Sequence, residues 1–361
     1  MSRKTTILSI LVVALFVIGA SVIYSVFSKK PASQANNNQT QVTQKELSPN
    51  GCLEENEIAD YDRASLFPEI TQPKERSPLI FVKNRNTGVA IKSFRINNVR
   101  DSAYPMELHK CGVYFIQDFN YDNGKGLPLP NYRGELWQYG YNNEGGKLLM
   151  VLFDFGKEDN LNNNNYSPTF RVSPLEQYIA LEKGYLGQDD YALIIKDLKT
   201  LKDVFVLSAK STFDQYPNMA GSFGFDTWTD DSRYFWGDIF DGAYVNGYFR
   251  IDTQNWKAEI FEAPNGAMGG SPLNVNTGYL PIQPGQVWTG DVEFDQELKE
   301  QHKREGKKSI LYLYNLFTKE KKLIETTNEP IFWFKPEWLS DTELQYELPS
   351  GEKKIYKTNE K

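Results

Sequence analysis

The sequence predicts an all-β domain of repeated units standing behind one apolar N-terminal helix. Three observations predict it. Strings of similar chemistry, each a strand, a polar turn and a second strand, recur through the second half of the chain. A different string, a polar turn running into a strand, recurs at related intervals. Aromatic residues make up 14% of the 361 positions, and such flat side chains pack well on a pleated surface.

The apolar helix comes first. Residues 7–27 read ILSILVVALFVIGASVIYSVF without a charge. At 1.5 Å per residue this run spans about 31 Å, the thickness of a hydrocarbon core. We read it as a transmembrane helix or uncleaved signal anchor, with residues 1–6 as a cytoplasmic head. A cleaved signal peptide is the alternative, with Ile7–Ile18 as its apolar run and Ile18-Gly19-Ala20 as a loose cleavage site. The apolar character continues past Ala20 to Phe27 and favours the anchor. Arg3 and Lys4 flank one end and Lys29 and Lys30 the other, so the positive-inside count is nearly a tie. A basic head before an apolar run looks like an export signal. The expected placement is a single-pass protein of the cell membrane, N-terminus cytoplasmic and C-terminal domain extracytoplasmic.

Residues 28–50 contain PASQANNNQTQVTQ and almost nothing apolar. Such a stretch cannot bury enough surface to offset its ordering entropy, and reads as a disordered tether. Residues 51–76 are mixed and acidic, a lead-in lying on the domain. Residues 77–361 carry the strand patterning. Hydrophobic residues at 40% and charged residues at 24% allow a real core. The net charge of −7 disfavours a groove that tracks nucleic-acid phosphates. There are two cysteines, Cys52 and Cys111. An even pair is compatible with one disulfide; two buried thiols are the alternative. Cys52 does not follow a lipobox-like run.

The strand–turn–strand strings are YALIIKDLKTLKDVFVL at 191–207, YFRIDTQNWKAEIF at 248–261 and SILYLYNLFTKEKKLI at 309–324. Their turns carry Asp197 with Thr200, Asp252 with Thr253, and Asn315 with Thr318. Asp, Asn and Thr side chains bond their own backbone in turns, and the flanks are β-branched or aromatic. Weaker relatives lie at 79–96 and 134–152. The turn-into-strand strings are VSPLEQYIAL at 172–181, WTDDSRYFW at 228–236 and WLSDTELQY at 338–346. Ser173 to Asp230 is 57 positions, and Asp230 to Ser340 is 110, close to two such steps. A period in this range, with several strands per unit, marks a radial repeat such as a propeller.

Ser-Pro-x-x-x-Tyr-Ile-Ala at 173–180 and Trp-Thr-Asp-Asp-Ser-Arg-Tyr at 228–234 resemble the turn-into-strand element of TolB-type, WD40-like β-propeller repeats. Asp-Leu-Lys-Thr at 197–200 and Ile-Asp-Thr at 251–253 resemble the hairpin turn of the same repeats. The resemblance covers roughly residues 77–361 and is clearest from Arg171 on. It implies a β-propeller-like domain of about five blades after the single transmembrane helix. The sequence departs from the pattern where the turn glycine is replaced by Leu201, Gln254 and Lys319, and where a repeat expected near residue 285 is not clean. A pair of β-sandwiches is the other architecture that short, regularly spaced strands suit. Neither the fold nor the resemblance implies a reaction, since propellers host many functions.

The segment 294–308, FDQELKEQHKREGKK, reads as a charged helix or loop inserted between two strands, with Phe294 and Leu298 as its narrow apolar stripe. Glu300 and Arg304 are spaced to pair along a helix.

Few residues invite chemistry. Two histidines, His109 and His302, are too few for a histidine-based metal site. The Gly269-Gly270-Ser271-Pro272-Leu273 string is not a nucleophile elbow, since Leu273 stands where the second glycine belongs. Asp118, Asn120 and Asp122 place oxygens at alternate positions like the opening of a Ca²⁺ loop. Asn123 and Leu129 stand where that loop needs its glycine and its closing glutamate, and an Asp-Asn-Gly turn explains the string equally. No other cofactor is indicated. Asp226, Asp230, Asp231, Asp238 and Asp241 lie among Trp228, Tyr234, Phe235 and Trp236. Paired carboxylates beside rings suit glycan chemistry, with Asp230 and Asp231 as the catalytic pair and Asp226, Trp228, Trp236, Asp238 and Asp241 as the ligand surface. Turn acids plus core aromatics account for the same string.

Two functions are therefore expected in order. The first is a non-catalytic, membrane-anchored extracytoplasmic binding or scaffold module with a protein or cell-envelope partner and no nucleic acid. The second is a cell-surface protein that binds or cleaves glycans through residues 226–241.

Overall fold

The protein is seen in a computed structural model that describes residues 51–61, 79–96, 106–119, 133–142, 146–154, 166–184, 190–241, 244–265, 267, 272–285 and 292–358. The expected cytoplasmic head, transmembrane helix and tether, residues 1–50, lie outside the described residues. Among those described, no helix is long and apolar enough to cross a membrane.

The described chain forms six antiparallel sheets, one after another. The first holds β1 (Glu57–Tyr61), β2 (Leu79–Asn84) and β3 (Ala90–Arg95). The second holds β4 (Glu107–Leu108), β5 (Val113–Phe119), β6 (Arg133–Tyr139) and β7 (Gly146–Asp154). The third holds β8 (Tyr166–Val172), β9 (Tyr178–Lys183), β10 (Ala192–Asp197) and β11 (Asp203–Ser208). The fourth holds β12 (Ser222–Trp228), β13 (Tyr234–Asp241), β14 (Tyr244–Asp252) and β15 (Lys257–Glu262). The fifth holds β16 (Tyr279–Ile282), β17 (Ser309–Asn315) and β18 (Lys321–Thr327). The sixth holds β19 (Glu337–Trp338), β20 (Glu343–Glu347) and β21 (Lys353–Lys357). Strand order follows chain order in every sheet. The stretch read as a lead-in thus contributes a paired strand, β1, whose Glu57 faces Asn84 of β2.

Buried clusters lie between successive sheets. Ile80 and Phe94 of the first meet Val113 and Phe115 of the second. Ile116 and Leu136 of the second meet Phe170 and Ile194 of the third. Leu193 and Ile195 of the third meet Phe223 and Phe249 of the fourth. Trp236 and Tyr248 of the fourth meet Leu280 and Ile282 of the fifth. Leu311 of the fifth meets Phe334 and Tyr346 at the sixth. Strand β10 shows the cause in its sequence. In ALIIKD, alternate residues point to opposite faces, and Leu193 and Ile195 enter one cluster while Ala192 and Ile194 enter the other. Hence the run is continuously apolar. A sandwich would keep one face of each sheet in water; here the inner sheets are buried on both faces, which is propeller-like stacking.

The turns recur as atoms, not only as letters. Asn84, Asp197, Asp252, Asn274 and Asn315 each accept backbone N–H bonds on the side-chain oxygen from the residues two or three positions on. Four positions after each, the chain enters the left-handed region at Gly88, Leu201, Trp256, Gly278 and Lys319. In the second hairpin the residue in the glycine position is therefore Trp256 and not Gln254. The repeat sought near residue 285 is Asn274–Tyr279, closed by the Asn274 N–H to the Tyr279 carbonyl at 2.8 Å.

Among the described residues two α-helices interrupt the sheets. Helix α1 (Ala209–Gln215) follows β11 and is capped by Ser208, whose side chain accepts from the Ser211 N–H. Helix α2 (Val292–Arg304) is the charged insertion foreseen between β16 and β17; Lys299 ties it to Glu329 at 2.7 Å.

Candidate functional site: an acidic pair on the fourth sheet

The first strands of three successive sheets meet through Arg171. Its Nη1 lies 3.4 Å from Glu107 Oε1 on β4, and its Nε donates to the Asp226 carbonyl on β12 at 3.3 Å. Glu107 also accepts from the Val172 N–H at 2.7 Å, and Trp228 Nε1 donates to the Arg171 carbonyl at 3.2 Å. Strands β8 and β12 are neighbours.

Strand β12 is irregular at the point that matters. The register slips between Phe225 and Thr227, so Asp226 is the extra residue of a bulge. Bulges re-aim side chains. On the next strand Asp238 stands opposite Gly224, and its carboxylate occupies the space that a Cβ at Gly224 would take. On the strand after that, Tyr248 stands opposite Asp238. Tyr248 is 2% exposed and its phenol oxygen has no hydrogen-bond partner.

The two carboxyls are electrostatically linked. Burial pushes Asp226 up to about 7, the nearby Asp238 charge adds to this, and Arg171 acts against it. Asp238 is pushed up to about 6, again by burial, with a backbone hydrogen bond opposing. Tyr248 is raised by burial, then by the fields of Asp226 and Asp238. Asp226 is exposed as a residue, while the protein around its carboxyl still raises its pKa. Water at the exposed side of Asp226 offsets part of the burial that raises its pKa.

Of the residues singled out from sequence, Asp226 and Asp238 come together. The tryptophans do not join them as stacking platforms. Trp228 is 4% exposed in the core between the third and fourth sheets, and Trp236 is 0% exposed in the core between the fourth and fifth. Asp230 and Asp231 sit in the turn before β13 rather than in a catalytic pair. Asp231 accepts from Thr229 Oγ1 at 2.6 Å and from the Arg233 N–H at 3.0 Å. Those bonds hold its carboxyl below the usual range, which is unsuited to a general acid. Asp241 is exposed at the end of β13. Tyr248 and Gly224 were missed, because only the strand pairing sets them beside Asp238.

The remaining candidates resolve as follows. Asp118 lies in β5, and Asn120 and Asp122 lie outside the described residues. Among the described residues no group of three or more His, Cys, Asp or Glu side chains is placed to hold a metal ion. Cys52 and Cys111 form a disulfide. His109 Nε2 lies 3.1 Å from Glu107, and His302 is half-buried on α2.

No known family model matches the chain. No curated protein matches it either. Among solved structures it is similar to the β-propeller domain of the Trilobed protease from Pyrococcus furiosus, at 12% identity and TM-score 0.41, over 71% of this chain and 68% of that one. It is similar to an oligogalacturonate lyase in complex with manganese, at 8% identity and TM-score 0.42, over 77% of this chain and 72% of that one. It is also similar to TolB from Acinetobacter baumannii, at 11% identity and TM-score 0.38, over 84% of this chain and 64% of that one. The propeller-like architecture itself rests on the sheet order and on the buried clusters between successive sheets.

Proposed function

We propose that this protein is a membrane-anchored extracytoplasmic binding module, with its six sheets as propeller blades and the Asp226–Asp238 pair as its ligand site. One observation carries the reading: two carboxyls and a buried, partnerless phenol oxygen share one place on the fourth sheet. Buried polar groups are normally satisfied, so a polar site left incomplete by the protein points to a ligand. The uncharged run 7–27 supports the anchor. The Cys52–Cys111 disulfide supports an oxidising compartment. Two measurements test the reading. Alkylation of the cysteines in intact cells, before and after reduction, reports the compartment; free thiols without reductant would contradict it. Proximity labelling from the full-length chain, against an Asp226→Asn control, reports the ligand site; identical labelling by both chains would remove the site from the proposal.

A second reading keeps one observation on its side. A carboxyl pushed up to about 7 holds a proton near neutral pH, as acid-assisted glycoside cleavage requires. The catalytic pair would then be Asp226 and Asp238, in place of Asp230 and Asp231. Turnover of chromogenic glycosides that disappears in Asp226→Asn and Asp238→Asn, with the fold retained, would establish it.

A further inference from the structure

Gly224, Asp238 and Tyr248 stand in line across β12, β13 and β14. Directly opposed residues of an antiparallel sheet send their side chains to the same face. Asp226 lies in the bulge of β12, two residues from Gly224, and its charge acts on Tyr248 as that of Asp238 does. The glycine matters: any side chain at residue 224 would displace the Asp238 carboxylate.

The nearby cations are already engaged. Arg171 pairs with Glu107, and Arg250 on β14 pairs with Glu259. Arg171 also acts on Asp226 and favours its ionised form. Two carboxylates therefore face a third oxygen, the Tyr248 phenol, which is buried and without a partner. A hard metal ion such as Ca²⁺ requires six or more oxygen ligands, and the described residues offer no cluster of three metal-ligating side chains here. An ammonium group carries three N–H donors and no acceptor, which matches three oxygens and the negative charge together.

We propose that Asp226, Asp238 and Tyr248 bind the ammonium group of a small organic amine, an inference that rests on the binding-module reading above. One N–H donates to each carboxylate and the third to the phenol oxygen.

The test uses the full-length chain in mild detergent at pH 8, where both carboxyls are ionised. Thermal unfolding is followed with methylammonium, 1,4-diaminobutane, tetramethylammonium or Ca²⁺. The two primary amines are expected to raise Tm as binding to the native state does. Tetramethylammonium has the charge without the donors, and is expected to give no rise, as is Ca²⁺. Tyr248→Phe keeps the ring and removes only the oxygen; it and Asp226→Asn are expected to weaken amine binding about tenfold or more. Circular dichroism confirms that each variant is folded. An equal rise with tetramethylammonium or Ca²⁺, or an undiminished amine response in both variants, overturns the proposal. No response of the parent chain to either amine also overturns it. In that event, Asp226-dependent labelling of another partner leaves the binding-module reading standing, whereas its absence removes both.

Discussion

The backbone N–H of Leu175 donates to the Oγ of Ser232, 57 residues later, at 2.9 Å. The bond links the turn before β9 to the equivalent turn before β13, so one repeat is locked to the next. The fifth and sixth repeats are joined turn to turn by a side-chain bond, from Asn276 Nδ2 to Asp341 Oδ1 at 2.9 Å. Hydrophobic clusters hold the sheets face to face, and these polar bonds set their mutual position.

Ser232 is 1% exposed, so water cannot replace its oxygen once it is removed. Ser232→Ala is expected to cost about 1–3 kcal/mol, the range for leaving a buried donor without a partner. Ser232 also has a φ of 58°, so Ser232→Gly separates the two effects by relieving the backbone while still losing the bond. Denaturant midpoints for both variants check this. A Ser232→Ala midpoint equal to that of the parent would show that the inter-repeat bond contributes nothing.

The left-handed turn positions give a paired prediction. Gly88 and Lys319 occupy equivalent places, with φ of 68° and 61°, and nothing lies within 4 Å of a Cβ added at Gly88. Gly88→Ala therefore tests backbone strain alone and is expected to cost about 1 kcal/mol. Lys319→Gly is expected to stabilise, by less than about 1 kcal/mol because the unfolded glycine gains entropy. Opposite shifts in Tm check the pair; two shifts of the same sign would refute the strain argument.

Reduction of the disulfide is the third prediction. Cys52 and Cys111 are separated by 59 positions, and closing a loop of that length is worth about 4 kcal/mol in the chain-entropy model. The segment it tethers also bonds the second sheet directly, with the Leu53 N–H donating to the Lys110 carbonyl at 2.7 Å and the Tyr141 N–H to the Gly51 carbonyl at 3.3 Å. A Cys52→Ser, Cys111→Ser double variant is expected to unfold at lower denaturant concentration. An unchanged midpoint would show that those backbone bonds suffice.

The hairpins from Asp197 onward were legible because their chemistry is local: the turn residue bonds its own backbone, whatever surrounds it. The fifth repeat was not, for two reasons. Its turn, Asn274-Val-Asn-Thr-Gly278, uses the string of the other turn family, as in Asn84-Arg-Asn-Thr-Gly88. It also comes 45 positions after Thr229, where Ser173 to Thr229 is 56. The acidic site was half legible. Asp226 and Asp238 stood out by composition, but Tyr248 enters only through cross-strand register. Trp228 was misplaced because of the bulge. Phe225 and Trp228 are three apart, so simple alternation sends them to opposite faces; the extra residue Asp226 brings both into one core.

The acid pair also dictates how stability depends on pH. Asp226 has its folded value raised from 3.8 to about 7, and Asp238 from 3.8 to about 6. A raised carboxyl binds its proton more tightly in the folded state, so it carries no penalty below the unfolded value. The penalty grows as pH rises from about 4 and is complete above about 7. Asp226→Asn removes the ionisation, and is expected to raise Tm at pH 8 while changing it little at pH 4. Because Asp226 is open to solvent on one side, screening reduces the gain to about 1 kcal/mol. Asp238→Asn is expected to act in the same direction, with its effect complete near pH 6. Thermal unfolding of the three chains at pH 4, 6 and 8 checks the sign. A destabilised Asp226→Asn at pH 8, or a difference from the parent that does not vary with pH, would mean that the ionised pair is already compensated within the protein.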